Sequence, residues 1–216
     1  MYIYLPSCNF TAARPEASKK IKQYLSSKPD VEVVGCCRPQ QKQLTSEDTV
    51  LSICLTCSAI TNEVNPDTPE KSLWEYLLTD NDFPWPDFHG EEMTIQDCWR
   101  ARNKPAMLDA VRACMVKMNL RPVEIAENRE KTQFDGVWRY NPVLQKNLDI
   151  APKYFQNIAQ TGLELIPPEE QKARMEAWVS QYTTERVATY CTACLKGALL
   201  GGANAVHLLE LLTANM

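Results

Sequence analysis

Short apolar runs rich in β-formers alternate along the chain with segments whose apolar positions recur at helical spacing. Residues 1–5 form the first run, which ends at Pro6-Ser7-Cys8. Ile21, Tyr24 and Leu25 then share one face of a helix predicted to start near Pro15. Residues 31–34 predict a second strand running into Gly35-Cys36-Cys37, and residues 49–53 a third running into Cys54 and Cys57. The stretch 65–90 carries Pro66, Pro69, Pro84 and Pro86, which predict a short helix followed by an irregular connection.

The same order then returns. Residues 93–98 read as a strand ending at Cys98, residues 104–119 as a helix and 122–125 as a strand. Residues 186–190 lead into Cys191-Thr192-Ala193-Cys194, followed by a helical pattern with Leu199, Leu200, Val206, Leu208 and Leu209. Cys8 thus corresponds to Cys98 and Cys54/Cys57 to Cys191/Cys194, which predicts an internal duplication. Where a second cysteine pair is due the chain has Phe134-Asp135-Gly136. An insert, 137–182, follows and includes an amphipathic stretch, 169–182, with Met175, Trp178 and Val179. The expected fold is α/β: two pseudo-symmetric lobes, 1–90 and 91–216, each a small, mainly parallel sheet flanked by helices. The carboxyl ends of parallel strands share one crevice, so cysteine loops at strand ends can converge there.

Composition narrows the functional classes. A chain of 216 residues, 44% apolar, can bury a core without staples. With 23 Lys and Arg against 27 Asp and Glu and no dense basic run, neither nucleic acid nor an acidic membrane surface is an expected partner. The first residues carry no basic segment before an apolar one, and no apolar run has spanning length, so membrane insertion is not expected and the expected location is cytoplasmic. Nine cysteines are many for a reducing compartment, where clustered thiols bind metal or do redox work. Cys114 is the exception: with Met107, Leu108, Val111, Met115 and Met118 it lies on an apolar helical stripe and reads as packing.

Cys8, Cys36, Cys37, Cys54 and Cys57 are more thiols than one tetrahedral ion takes, which points to an iron–sulfur cluster before a single zinc. A CxxC at a helix start supplies two ligands where the helix N-terminus stabilises negative sulfur. Adjacent cysteines in extended chain point to opposite sides, so Cys36-Cys37 suits an unusual cluster geometry, or one ligand plus one redox thiol.

These residues, with the weaker repeat at Cys98 and Cys191/Cys194, resemble the cysteine-rich CCG domains of the heterodisulfide reductases and their relatives, over nearly the whole chain. In that family two modules pack as pseudo-symmetric halves, and complete motifs bind noncubane [4Fe-4S] clusters at which a disulfide is reduced. The resemblance implies Cys8, Cys36, Cys37, Cys54 and Cys57 as ligands of one [4Fe-4S] cluster. It also implies an electron-transfer partner subunit and a small disulfide or thiol substrate. Arg38 stands where the motif has glycine, and Asp135 where a ligand cysteine is expected. Cys98, Asp135, Cys191 and Cys194 would then hold zinc or a second iron–sulfur cluster, or the second half has lost its metal and supports the first.

Two other readings stand beside this one: a zinc-bound or metal-free scaffold, and metal-free dithiol/disulfide exchange by Cys54/Cys57 or Cys191/Cys194. Arg38, Arg100 and Arg102 follow candidate ligands and can offset cluster charge or hold an anion, or be solvated loop residues. Asp97 can cap a helix after Cys98 or hydrogen-bond near the site. His89 reads as a turn residue and His207 as packing. No dinucleotide or phosphate-binding glycine motif is present.

Overall fold

A computed structural model of the chain describes residues 1–216. In chain order its first elements are β1 (Tyr2–Leu5), α1 (Cys8–Ala13), α2 (Pro15–Ser26), β2 (Val31–Val33) and α3 (Cys37–Gln40). Then come β3 (Thr49–Ser52), α4 (Leu55–Val64), β4 (Glu70–Ser72) and α5 (Leu73–Thr79). The second sheet begins with β5 (Glu92–Gln96), followed by a 3-10 turn (Trp99–Ala101), α6 (Pro105–Lys117) and β6 (Arg121–Val123). Two further 3-10 turns, Arg129–Lys131 and Gly136–Tyr140, precede α7 (Gln145–Leu148), α8 (Pro152–Thr161) and α9 (Pro168–Val179). The chain closes with β7 (Val187–Thr189), α10 (Thr192–Leu200), β8 (Ala205–His207) and α11 (Leu208–Leu212).

The architecture is α/β with two four-stranded, all-parallel sheets flanked by helices. Their orders are β2-β1-β3-β4 and β6-β5-β7-β8, one topology used twice. In each, the chain leaves the first strand for one neighbour and returns to pair on the other side. Registers such as Tyr4↔Val33 and Tyr4↔Leu51 fix this in the first sheet, and Thr94↔Val123 and Thr94↔Val187 in the second. The switch point therefore lies between β1 and β3, and between β5 and β7, where the loops carrying Cys8 and Cys54, or Cys98 and Cys191, leave the sheet side by side. β1 is buried from Ile3 to Leu5, as a parallel strand covered on both faces must be.

Two local expectations are corrected, one after Cys194 and one after Cys8. The Leu-rich segment after Cys194 is not one helix: α10 stops at Gly201, Gly202 adopts φ +85° and the chain re-enters the sheet as β8. His207 ends that strand and caps α11, its Nδ1 accepting the Leu209 N–H at 3.2 Å while Glu210 accepts the His207 N–H. Residues after Cys8, expected as loop, form α1.

The compact units also divide differently from a boundary at residue 90. Met1–Tyr76 packs with Pro142–Leu163, and Leu77–Asn141 with Glu164–Met216. In the first unit Glu63 on α4 accepts the free N–H groups of Lys153 and Tyr154 at the start of α8, at 2.9 and 2.7 Å, which draws part of the insert back. In the second, Phe88 and Gly90 donate to Met118 O and Asn119 O at 2.9 and 2.8 Å, which ties the proline-rich connection to the end of α6. No helix is long and apolar enough to cross a membrane.

Candidate metal centre

In the second unit, Cys98 follows β5, and Cys191 is the N-cap of α10 with Cys194 in its first turn. Asp135 arrives from outside the sheet, and two glycines bring it close. Gly136 adopts φ +53°, and a Cβ there would lie 2.0 Å from Ala193 O and 2.7 Å from the Cα of Cys194. A Cβ on Gly197 of α10 would fall 2.6 Å from the Cα of Gly136. Only bare backbone fits on either side of this contact. Trp99 N–H donates to Phe134 O at 2.7 Å and ties the Cys98 loop to the same segment.

The result is a four-donor cluster. Cys98 Sγ, a carboxylate oxygen of Asp135, Cys191 Sγ and Cys194 Sγ all lie within 4.8 Å of one another, and all four residues are buried. A tetrahedral zinc with sulfur bonds of about 2.3 Å has ligand edges of about 3.8 Å, a scale that this cluster meets with a small contraction. Asp135 Oδ1 accepts from Cys98 Sγ at 3.1 Å and from Arg100 Nε at 2.9 Å. Its Oδ2 is buried and accepts no hydrogen bond. An orphaned carboxylate oxygen beside three thiols is what a cation would satisfy, so the residues fit a metal ion.

Charge is managed by one arginine. Arg100 also reaches Cys191 Sγ at 3.4 Å, and its guanidinium lies 4.5 Å from the centroid of the Trp138 ring. Burial pushes the thiols of Cys98 and Cys194 well up, while Cys191, hydrogen-bonded by Cys194 and Cys98 and facing Arg100, is drawn well below the usual thiol range. Cys191 is therefore the thiol of the set that ionises most readily. Burial raises the Asp135 carboxyl to about 6, against the lowering effect of Arg100. A cavity of about 340 Å³ bordered by Phe134, Asp135, Arg139 and Trp178 lies beside this carboxyl, whose residue is 3% exposed.

Behind Cys98 sits a network that shows only partly in the sequence. Asp97 is fully buried and accepts from both terminal nitrogens of Arg112 at 3.1 and 2.6 Å, from Arg129 N–H at 2.8 Å and from Tyr190 OH at 3.0 Å. Tyr190 OH in turn accepts the Cys98 N–H at 3.0 Å. Asp97 therefore caps no helix after Cys98; it anchors the backbone of a candidate ligand through the phenol of Tyr190. Arg102 bonds Trp99 O at 3.1 Å and lies over the Trp99 ring, and His89 is exposed beside Asp87.

In the first unit the thiols bear on one another's ionisation: Cys36 on Cys8, Cys57 on Cys37, and Cys37 and Cys54 on Cys57. The compact four-donor group is that of the second unit. Cys36 and Cys37 do not alternate along a strand: Cys36 is the extended N-cap of α3 and Cys37 its first residue. Gln41 holds that turn to α4, its Nε2 donating to Cys37 O at 3.2 Å and to Thr61 Oγ1 at 3.1 Å. Cys37, hydrogen-bonded by Cys57, has its thiol drawn below the usual range; Cys57, donating to Cys37 and near Cys54, is raised well above it. Arg38 donates toward Cys36 Sγ at 3.8 Å and bonds Asn147 of the insert. Unlike the second set this one is open, because Cys8 is exposed and Cys36 and Cys54 are half-buried. Ser7, just before Cys8, takes φ +61°, which non-glycine residues avoid, with its Oγ accepting the Phe10 N–H at 3.2 Å. Cys114 is buried in α6 with its thiol pushed up to about 12 by burial.

Comparison of the chain with known protein families, with curated proteins and with solved structures finds no match.

Proposed function

We propose that the chain is a metal-binding redox protein, an iron–sulfur relative of the CCG-domain component of heterodisulfide reductases. In this reading Cys8, Cys36, Cys37, Cys54 and Cys57 hold a noncubane [4Fe-4S] cluster, and Cys98, Asp135, Cys191 and Cys194 hold zinc. The observation that carries it is the set of five thiols that follow β1, β2 and β3 of the first sheet, one donor more than a tetrahedral ion uses.

Bound there, the cluster would supply one-electron steps for the net reduction of a small disulfide by two electrons and two protons to two thiols. A partner subunit with its own redox centre delivers the electrons. This chain's residues do the rest. Cys54, as N-cap of α4, and Cys57, in its first turn, keep two sulfurs where free backbone N–H groups stabilise negative charge. Arg38 adds a cation beside Cys36. Exposed Cys8 leaves one edge open to a substrate sulfur. The second site has four buried ligands and no open position, the form of a structural zinc, and its role is to fix Asp135, Cys98 and the start of α10 together.

Anaerobic reconstitution with iron and sulfide followed by reduction should give an EPR signal that is lost in Cys36→Ser/Cys37→Ser and kept in Cys191→Ser. Absence of any iron-dependent signal in the wild type would replace this reading with the scaffold or dithiol alternatives.

A further inference from the structure

Beside the second cysteine group the chain leaves a cavity of about 340 Å³ between residues 133–140, which carry the 3-10 turn Gly136–Tyr140, and residues 174–181 at the end of α9. Sites for small molecules start at about 300 Å³, so the space is sufficient for one. What its walls offer decides which kind.

The apolar wall is held in place. The Trp178 ring stacks on Phe134 with 5.3 Å between centroids, and its N–H donates to Gln96 Oε1 at 2.7 Å. With that N–H spent, the indole offers the cavity only ring surface, and Met175 and Tyr140 extend it. A fixed aromatic wall favours a flat, apolar body, because no side chain has to be ordered when the ligand arrives.

The polar wall carries two arginines and one carboxylate, and only one of the three lacks a charged partner. Arg174 gives Nη1 to Glu164 and Nη2 to Glu170, each at 2.7 Å. Asp135 is paired with Arg100 at 2.9 Å. Arg139 is half-buried and pairs with no carboxylate: Nη1 donates to Gln133 O at 3.3 Å, and Nε is buried with no hydrogen bond at all. Glu164, whose N–H bonds Arg139 O at 2.9 Å, has its carboxylate turned to Arg174 instead. A guanidinium partly withdrawn from water without a counter-ion carries a cost that a bound anion offsets.

The geometry points to a binding site for a small planar organic acid, its carboxylate paired with Arg139 and its ring against Trp178. The contact involves no metal, so it stands apart from the metal assignments above.

Isothermal titration of the whole chain with 2-naphthoate should show saturable binding. Neutral 2-naphthamide and inorganic phosphate should each bind at least about tenfold more weakly, since one lacks the charge and the other the ring. Arg139→Gln should weaken 2-naphthoate by about tenfold and leave 2-naphthamide unchanged. Ala177→Phe, at an exposed position of α9 that borders the cavity, should fill the space and abolish binding of both. No saturable binding of 2-naphthoate would overturn the proposal, as would equal affinity for the acid and its amide, phosphate binding as tightly as the acid, or full binding in Ala177→Phe. If Arg139→Gln fails to fold, the acid-to-amide ratio and Ala177→Phe decide the matter without it.

Discussion

The two cysteine groups sit at equivalent points of one repeated topology and differ in closure. The second has its four donors buried, a carboxylate in place of a cysteine, and Arg100 held between Asp135 and Cys191. The first has five thiols, an exposed Cys8 and a half-buried arginine, Arg38 of α3, that reaches toward Cys36. The same crossover delivers cysteines to both; what is packed around them separates a sealed group of donors from an accessible one. Three thiolates and a carboxylate would bring four negative charges, of which a divalent cation and Arg100 would offset three.

The largest expected effect separates two glycines that adjoin candidate ligands, Gly136 after Asp135 and Gly35 before Cys36. Gly136→Ala forces a Cβ onto Ala193 O and holds a positive φ, so unfolding free energy should fall by about 4 kcal/mol or more. Gly35→Ala, in the equivalent loop of the first unit with nothing within 4 Å, should change it by no more than about 0.5 kcal/mol. Chemical denaturation of both variants checks the contrast; equal losses would break it.

Next is the support beneath Cys98. Asp97→Ala leaves the Arg112 guanidinium without its buried partner and Tyr190 OH without an acceptor. It should cost about 3 kcal/mol and weaken zinc retention in a chelator competition.

A pH effect of similar size belongs to the second group alone. In metal-free protein Asp135 titrates near 6, above its ordinary 3.8, so the fold favours the protonated acid. Its contribution is full below about pH 4 and is lost as pH rises through about 6, a decline of about 2–3 kcal/mol read from urea midpoints against pH. Zinc needs the carboxylate, so its occupancy should rise over the same window. Asp135→Asn should flatten both curves.

The smallest effect is the control for cysteine chemistry. Cys114→Ala should cost about 1 kcal/mol by thermal melting and leave metal content unchanged.

Much of this is legible in the chain because it is local. Apolar runs ending in cysteine or turn residues mark six of the eight strands, and the repeat of Cys8 and Cys54/Cys57 at Cys98 and Cys191/Cys194 matches the repeated sheet order. The two strands that do not show, β4 and β8, are three residues long; one is Glu70-Lys71-Ser72, and the other lies inside a Leu-rich run of helical spacing. Neither carries a period long enough to read. The unit boundary is hidden because residues 142–163 return to the first unit through Glu63, a contact across about 90 positions. The Gly136–Gly197 contact and the Asp97–Tyr190 link are likewise products of long-range packing. Asp135 is visible because the repeat leaves an empty place, and its position is the one that the structure brings to the three thiols.

Metal content after strictly anaerobic isolation tests the central claim most directly, measured on the wild type, Cys36→Ser/Cys37→Ser and Cys98→Ser/Cys191→Ser. The account predicts about four irons and about one zinc per chain in the wild type, loss of iron alone in the first variant and loss of zinc alone in the second. Zinc in both groups, or iron that leaves with Cys98 and Cys191 and stays without Cys36 and Cys37, would contradict it.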